Sequence, residues 1–168
     1  TNNALSENAA YENLAIACDI AINGSGDRPA AKCSSGGAGG GIAILRARRD
    51  SLVDAVAHCF TGSREEMVDC LDLGLAIGIT GWICDERRGE DLRKAVAGLP
   101  LDRLLLETDA PYLLPRTLSP KPRTRRNEPA YLTEVQRAVA GCMRLPVEAV
   151  AAASSANAER LFRLESAR

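Results

Sequence analysis

Two short segments, well separated in the chain, each join an apolar run to a side chain that can bind a metal ion. His58 ends the first run, and Asp109 follows the second. Continuous apolar runs are typical of buried parallel strands, whose carboxyl ends carry the catalytic groups of α/β barrels. One imidazole and one carboxylate at the ends of neighbouring strands therefore predict a hydrolytic site for a divalent metal ion.

The residues alone leave a plainer interpretation of each side chain open. His58 is the only histidine of the chain, and a lone histidine at a strand end is often a hydrogen-bonded core residue. Asp109 can equally be an aspartate that caps a turn. Cys59 follows His58, and successive side chains of a regular strand point to opposite faces. We therefore expect Cys59 to stay outside the ligand sphere of any metal that His58 binds, which argues against a His–Cys nucleophilic pair.

The elements that must position these residues alternate along the chain. Apolar runs predict strands, and amphipathic stretches with capping signals predict helices. The clearest helix begins with a capping box formed by Ser63 and Glu66 and ends at Gly74. Alternation of strand and helix with short turns requires a parallel sheet, so the sequence indicates an α/β fold. The predicted strands are 54–58, 75–80 and 104–107, and the predicted helices are 42–49, 63–73, 89–97, 131–140, 147–153 and 156–162.

Composition limits the possible partners of the chain. The 21 basic and 22 acidic residues give a net charge of −1, so only a local basic patch could attract nucleic acid. No run approaches the roughly 20 apolar residues of a membrane span, and no basic-then-apolar leader is present. We therefore expect a cytoplasmic protein with no membrane partner. The six cysteines lack Cys-x-x-Cys spacing, which indicates reduced, mostly buried thiols.

The first part of the chain has a different character. Residues 1–22 show a helical pattern, whereas residues 23–41 contain seven glycines and several serines. Glycine-rich loops can bind phosphate, but no Gly-Lys-Ser or Gly-Lys-Thr sequence follows this tract. A flexible low-complexity linker is the better interpretation, and we expect residues 23–41 to lack stable secondary structure.

A basic loop follows the last predicted strand. A run of charge is often only a solvated loop, and that interpretation stays open beside phosphate binding. Arginine forks suit phosphodiester oxygens, and prolines stiffen the loop, so we name Lys121, Arg125 and Arg126 as candidate phosphate-binding residues. Trp82, after the previous strand, either stacks on a base or packs in the core. The basic residues of the loop are Arg116, Lys121, Arg123, Arg125 and Arg126.

Several short motifs occur together in a fixed order over residues 41–162. They are His58-Cys59-Phe60-Thr61-Gly62, Ile77-Gly78-Ile79-Thr80-Gly81-Trp82, Glu107-Thr108-Asp109-Ala110-Pro111 and Arg126-Asn127-Glu128-Pro129. In this combination the chain resembles the TatD-like metal-dependent deoxyribonucleases, hydrolases built on a TIM (β/α)8 barrel. The resemblance implies an α/β fold in which this chain supplies a partial, C-terminal section of the barrel.

The resemblance also assigns roles to individual residues. It implies that His58 and Asp109 bind a divalent metal ion (magnesium, manganese or zinc), that Asp109 also handles the proton of the attacking water, and that DNA is the substrate. Glu107 lies two residues before Asp109, and we expect it to support the site rather than to bind the metal. These assignments make the chain a hydrolase of phosphodiester bonds.

The sequence departs from the family pattern in its first part. Family members commonly carry a His-x-His pair on the first strand, a glutamate in mid-barrel and a further histidine. A chain with one histidine lacks these histidines, and the region that carries the glutamate is absent as well. We therefore expect residues 1–41 to form a degenerate N-terminal segment, residues 42–168 to form the C-terminal part of the barrel, and nuclease activity to be impaired. The alternatives are a non-catalytic barrel remnant, a fragment completed by a partner polypeptide, and a related hydrolase of amides or esters.

Overall fold

Three parallel strands form the sheet at the centre of the protein. A computed structural model describes residues 45–47 and 54–164. The strand order is β1–β2–β3, so that β2 pairs with both of the others. Ala57 of β1 lies opposite Ile77 of β2, and Ile77 in turn lies opposite Leu104 of β3. The strands are β1 (Val56–Ala57), β2 (Ala76–Ile79) and β3 (Leu104–Leu106).

Helices connect the strands and cover the sheet, which confirms the predicted α/β fold. The predicted helices 63–73, 89–97 and 131–140 are present, and the largest difference is that the third continues to Met143. Two of the helices form the crossovers that parallel pairing requires. The last helix packs on β3. The helices are α1 (Arg64–Asp72), α2 (Glu90–Val96), α3 (Leu132–Met143) and α4 (Val147–Phe162), with a 3₁₀ turn at Gly81–Cys84.

The first helix begins and ends as the sequence predicts. The Ser63 hydroxyl accepts a hydrogen bond from the Glu66 amide (3.3 Å), and the Glu66 carboxylate accepts one from the Ser63 amide (2.6 Å). This reciprocal pair satisfies two of the amides that a helix start leaves without partners. Beyond the end of the helix, Gly74 adopts a left-handed backbone with φ 74°, a conformation that glycine reaches without steric cost.

The prediction of two separate helices at 147–153 and 156–162 is wrong, because α4 is continuous from Val147 to Phe162. Its middle is fixed by tertiary contacts. The Ser154 hydroxyl accepts a hydrogen bond from the amide of Leu106 in β3 (2.9 Å). One turn later, the Asn157 amide group donates to the carbonyls of Leu101 and Leu104, both at 2.8 Å. Ser154, which falls in the predicted break, and Asn157 therefore attach the helix to the sheet.

The strand predicted at 54–58 is shorter than expected. It ends at Ala57, and His58 and Cys59 form a turn in which Cys59 has φ 51°. The two longer strands agree with prediction to within a residue at each end. All four residues of β2 are buried, and Ile77 and Ile79 are completely so, which explains the continuous apolar run of this central strand.

Other expectations concern the ends of the chain and its cysteines. Residues 45–47 are helical, within the predicted helix 42–49, and Leu45 is buried in the core. The predictions for residues 1–22 and 23–41 lie outside the described residues. Within the described ranges, the four cysteines have free thiols and three of them are buried, and no helix is long and apolar enough to span a membrane.

Asn157 provides a test of how α4 is attached. Replacing Asn157 by alanine removes the buried hydrogen bond to the Leu104 carbonyl and the partly buried one to Leu101, so we expect the free energy of unfolding to fall by about 1–3 kcal/mol. Urea denaturation measures this change. Ser155→Ala, at an exposed position of the same helix, is the control and should change the value by no more than about 0.5 kcal/mol. Equal effects of both substitutions would show that the Asn157 bonds do not stabilise the fold.

Candidate functional site

The His58 imidazole lies between two carboxylates. Its Nδ1 is 2.8 Å from Oε2 of Glu107, and its Nε2 is 3.4 Å from Oδ1 of Asp109. His58 is in the turn after β1, whereas both acids follow β3, at the other edge of the sheet. The structure therefore brings the two predicted metal ligands together at the carboxyl end of the sheet, where the parallel-strand argument placed them.

A glycine in the central strand makes this meeting possible. The Glu107 carboxylate lies against Gly78 of β2, where a Cβ atom would overlap it. Because Gly78 has no side chain, Glu107 can reach across β2 from β3 to the turn after β1. A glycine inside a strand commonly marks the close approach of another group, and this is the sequence signal that points to Gly78.

The same carboxylate also holds the backbone of the turn. Oε2 of Glu107 accepts a hydrogen bond from the Cys59 amide (3.0 Å) as well as from His58. The next amide, that of Phe60, donates to the Gly78 carbonyl at 2.8 Å. The left-handed conformation of Cys59 is thus stabilised by bonds on both sides, and the imidazole and its backbone are oriented by a single acid.

Glu107 determines which nitrogen of His58 can bind a cation. An ionised carboxylate only accepts hydrogen bonds, so Nδ1 carries the proton that it receives. In the neutral ring Nε2 is then an acceptor, and it faces Oδ1 of Asp109, which is also an acceptor. Two acceptors that face each other favour a cation between them. A carboxylate behind a metal-binding histidine is the usual arrangement that fixes its tautomer.

The turn places Cys59 differently from the sequence expectation. Because Cys59 has left the strand, its Sγ lies 3.3 Å from the Thr80 hydroxyl and close to the Asp109 carboxylate. The expectation for Cys59 assumed a regular strand, and because β1 ends at Ala57 the alternation of faces does not extend to Cys59. Burial above all raises the pKa of the Cys59 thiol; together with the smaller raising effects of Asp109 and Glu107 and the lowering effect of Thr80, it brings this pKa to about 12. The thiol stays protonated at neutral pH, which argues against a cysteine nucleophile.

The donor set fits part of the coordination sphere of a divalent ion. Two ligands at about 2.1 Å from one ion, at a tetrahedral angle, are about 3.4 Å apart, and His58 Nε2 and Asp109 Oδ1 are separated by 3.4 Å. Among the residues that the structure describes, no group of three or more His, Cys, Asp or Glu side chains is placed to hold a metal ion. Catalytic zinc sites typically use three protein ligands, so this pair fits two positions of such a site.

Asn127 fixes the loop that carries Asp109. Its side-chain amide donates to the carbonyls of Tyr112 (2.7 Å) and Leu113 (3.3 Å) and to the Thr108 hydroxyl (3.2 Å). Its backbone amide donates to the Pro111 carbonyl at 3.0 Å, and the residue is buried. In the sequence Asn127 stands out only as part of a motif; its structural role could not be predicted, because the bonds form between loop segments that no periodic pattern describes.

A cavity of about 810 Å³ lies beside this loop, between residues 81–87 and 113–125. Lys121 and Arg125, two of the predicted phosphate-binding residues, line it, whereas Arg126 does not. Trp82 lines the cavity and also packs against the core, with the Arg88 guanidinium 6.0 Å from its ring centre. Three further arginines line the cavity, although the sequence analysis did not name them as phosphate-binding residues: Arg87, Arg116 and Arg123.

Comparisons with known proteins show which family the chain resembles in sequence. The sequence model of a family described as "TatD related DNase" matches residues 39–163. A protein of Citrobacter rodentium (strain ICC168), named 3'-5' ssDNA/RNA exonuclease TatD, is 56% identical over 121 residues, which are 72% of this chain and 46% of the relative. The protein of the same name from Erwinia billingiae (strain Eb661) is 54% identical over 123 residues, 73% of this chain and 47% of the relative.

A solved structure of a TatD homologue is also similar to this chain, at lower sequence identity. The crystal structure of YJJV, a TatD homologue from Escherichia coli K12, matches with a TM-score of 0.64 and 29% identity, covering 74% of this chain and 46% of that protein. The chain thus spans about half the length of the relatives that it matches.

The contact between Gly78 and Glu107 can be tested with two glycine substitutions. In Gly78→Ala the new methyl group displaces the Glu107 carboxylate, and the lost bonds to His58 and Cys59 should lower the free energy of unfolding by about 1–3 kcal/mol. Gly141→Ala is the control, because its Cβ meets nothing within 4 Å and alanine in a helix should stabilise by about 0.5–1 kcal/mol.

A double-mutant cycle identifies the cause. In a Glu107→Ala background, Gly78→Ala should have little further effect, because the carboxylate that it displaces is already gone. Selective ¹⁵N labelling also reports on the site, since His58 is the only histidine. The neutral ring should show the Nδ1–H tautomer in the wild type and lose that preference in Gly78→Ala. Additive energies in the cycle would contradict the proposed contact.

Proposed function

Because this chain belongs to the TatD related DNase family, we propose that it carries one side of the active site of a nuclease that hydrolyses phosphodiester bonds of DNA. The observation that carries the proposal is the His58 Nε2 and Asp109 Oδ1 pair, with Glu107 behind the ring. The names of the relatives specify single-stranded DNA and RNA, which supports a single-stranded substrate.

In this proposal the metal ligands of the chain are His58 and Asp109. Glu107 fixes the Nδ1–H tautomer, so that Nε2 is directed towards the ion, and Gly78 leaves room for Glu107. A divalent ion such as magnesium, manganese or zinc would supply positive charge at the scissile phosphate and lower the pKa of water. Asp109 is the catalytic residue and accepts the proton of the attacking water, a role that suits a carboxylate beside the reacting atoms.

The basic loop supplies contacts to the substrate. Lys121 and Arg125 bind phosphate groups within the cavity, where both side chains are exposed to solvent. Arg126 is also exposed but does not line the cavity. It contacts a phosphate group that lies outside the cavity. Asn127 holds the adjoining loop in place, so the position of these cations relative to Asp109 is fixed. Such fixed placement lowers the entropy cost of binding.

We further propose that the chain is a partial TIM barrel. Three parallel strands joined by helices correspond to consecutive strand–helix units of such a barrel, and the chain spans about half the length of its relatives. Residues 42–168 would then form the C-terminal part of the barrel, and residues 1–41 a separate degenerate segment. Strands β1 and β3 are the edges of this sheet, whereas a closed barrel has none.

The proposal includes impaired activity for the isolated chain. Two protein ligands are fewer than a catalytic zinc site typically uses, and the His58 side chain is 48% exposed, so water is poorly excluded from the site. The same observation favours a second candidate, a non-catalytic remnant that binds nucleic acid without cleaving it. Hydrolysis of amides or esters, and completion by a partner polypeptide, gain no support from the two curated relatives, which are both named as exonucleases.

Metal binding tests the site directly. Titration with manganese, followed by calorimetry or by the water relaxation rate, should show one weakly bound ion per chain. Glu107→Gln should weaken binding by about 10-fold or more, as loss of a supporting carboxylate does in metal sites, and His58→Ala and Asp109→Asn should abolish it. Binding that is unchanged in both ligand variants would refute the assignment of His58 and Asp109.

Nuclease activity tests the reaction. We expect the chain with manganese or magnesium to release nucleotides from single-stranded DNA far more slowly than the Citrobacter rodentium relative in the same assay, because its ligand set is incomplete. The residual cleavage should disappear in Asp109→Asn and on addition of a chelator. Cleavage as fast as that of the relative would contradict impairment, and no metal-dependent cleavage above that of Asp109→Asn would favour the non-catalytic remnant.

A further inference from the structure

We propose that the cavity between residues 81–87 and 113–125 is a subsite for a single nucleic-acid strand, and that the Asp85–Arg116 ion pair limits its affinity. The subsite is separate from the metal ligands and binds the strand on one side of the bond to be cleaved. The proposal rests on the proposed function for its choice of ligand. Binding of the strand does not require cleavage.

The cavity concentrates positive charge in a chain whose net charge is −1. Five basic side chains line it, against two acidic ones. A cleft lined by charges of one sign focuses the electrostatic field and attracts ions of the other sign. Within the described ranges, four of the five have no acidic partner within ion-pair distance: Arg87, Lys121, Arg123 and Arg125.

The walls of the cavity are held by hydrogen bonds. On one side, the Arg93 guanidinium donates to the carbonyls of Ile83 (3.1 Å) and Asp85 (2.9 Å). On the other side, Asn127 bonds the carbonyls of Tyr112 and Leu113. The cavity is therefore formed before any ligand arrives, and binding needs little ordering of the backbone.

The lining also suits the apolar part of a nucleotide. Trp82, Leu113 and Leu118 contribute apolar surface beside the cations. Aromatic and apolar surfaces next to a basic groove are typical of single-strand binding, because every base has a face that can stack. The volume of about 810 Å³ lies towards the upper end of the roughly 300–1,000 Å³ range of small-ligand pockets. We infer space for a segment longer than one nucleotide.

The position of the cavity connects it to the metal ligands. One wall begins at Gly81, just after the carboxyl end of β2, and the other begins at Leu113, four residues after Asp109. Both walls therefore leave the same end of the sheet as His58 and Asp109. A strand that lies in the cavity is on the same rim as the proposed reacting group.

Asp85 is the feature that opposes phosphate binding. Its carboxylate accepts the amides of Arg87 (2.9 Å) and Arg88 (3.0 Å) through Oδ1, while Oδ2 lies 3.2 Å from Nε of Arg116. These amide bonds, that of Arg88 above all, lower the pKa of Asp85, so the acid stays charged. A phosphate that enters must compete with Asp85 for Arg116, whose side chain is 64% exposed and can turn towards a ligand.

Asp85→Asn is the test substitution. The asparagine oxygen can still accept the two amides, but the negative charge beside Arg116 is removed. We expect a fluorescein-labelled oligothymidylate of six nucleotides to bind the variant about 3–10-fold more tightly than the wild type at low salt, where charge-dependent contacts are strongest. Fluorescence anisotropy in the presence of a chelator measures this affinity without cleavage. Unchanged or weaker binding by a folded Asp85→Asn variant would overturn the role of Asp85.

Arg123→Ala tests the cavity itself. Binding should weaken several-fold, and the slope of log Kd against log salt concentration should fall by about 0.7, the value for one phosphate contact of a single strand. Lys94→Ala is the control, because it removes one positive charge from α2, outside the lining, and it should leave affinity unchanged. Equal effects of Arg123→Ala and Lys94→Ala would refute the subsite.

Two further measurements separate the possible outcomes. If Asp85→Asn does not fold, as judged by circular dichroism, Arg116→Ala replaces it and should weaken binding. Tripolyphosphate should compete poorly with the oligothymidylate, and competition at equal concentration would show a general polyanion site without base contacts, against the proposal. If the chain does not cleave DNA but the cavity variants change its affinity for the oligothymidylate, only the nuclease proposal is contradicted. If the chain cleaves DNA but the cavity variants leave this affinity unchanged, only the subsite is contradicted.

Discussion

The contact of the Glu107 carboxylate with His58 and Cys59, across Gly78, is the interaction on which the rest of the site depends. One oxygen accepts both the imidazole Nδ1–H and the Cys59 amide. It therefore orients a side chain and shapes a turn at once. The contact spans the whole width of the sheet, from β3 to the turn after β1. It can form only because the central strand has a glycine, Gly78, where the Glu107 side chain crosses it. The pairing of His58 with Asp109 is a consequence of that geometry.

The loop after β3 connects the two parts of the proposed active site. Asp109 lies at its start, and Leu113, a few residues later, lines the basic cavity. The Asn127 side chain donates hydrogen bonds to Thr108 and Leu113, which lie at the two ends of this segment. Asn127 itself directly follows Arg126 of the basic loop. Because Asn127 is buried and its bonds replace water on the loop carbonyls, the loop has little freedom to move Asp109 relative to the cavity. The proposed metal site and the proposed strand subsite thus rely on one structural element.

Local sequence signals were sufficient for most of the fold. The capping box of Ser63 and Glu66, the apolar run of β2 and the alternation of strands with helices each act through neighbours in the chain or through burial, and each was predicted. The same signals placed His58 and Asp109 at one end of the sheet. Family resemblance, rather than pattern, supplied the expected roles of these residues, and the match over residues 39–163 confirms the family.

By itself, then, the sequence determined the α/β arrangement, the family and the meeting of one histidine with one aspartate. Tertiary structure alone decided the left-handed backbone conformation of Cys59, the continuity of α4 through Ser154 and the set of residues that form the cavity walls. The reason is common to all three. Each depends on a hydrogen bond or a contact between segments distant in the chain, and such contacts override the local preference of a residue without leaving a periodic signal in the sequence.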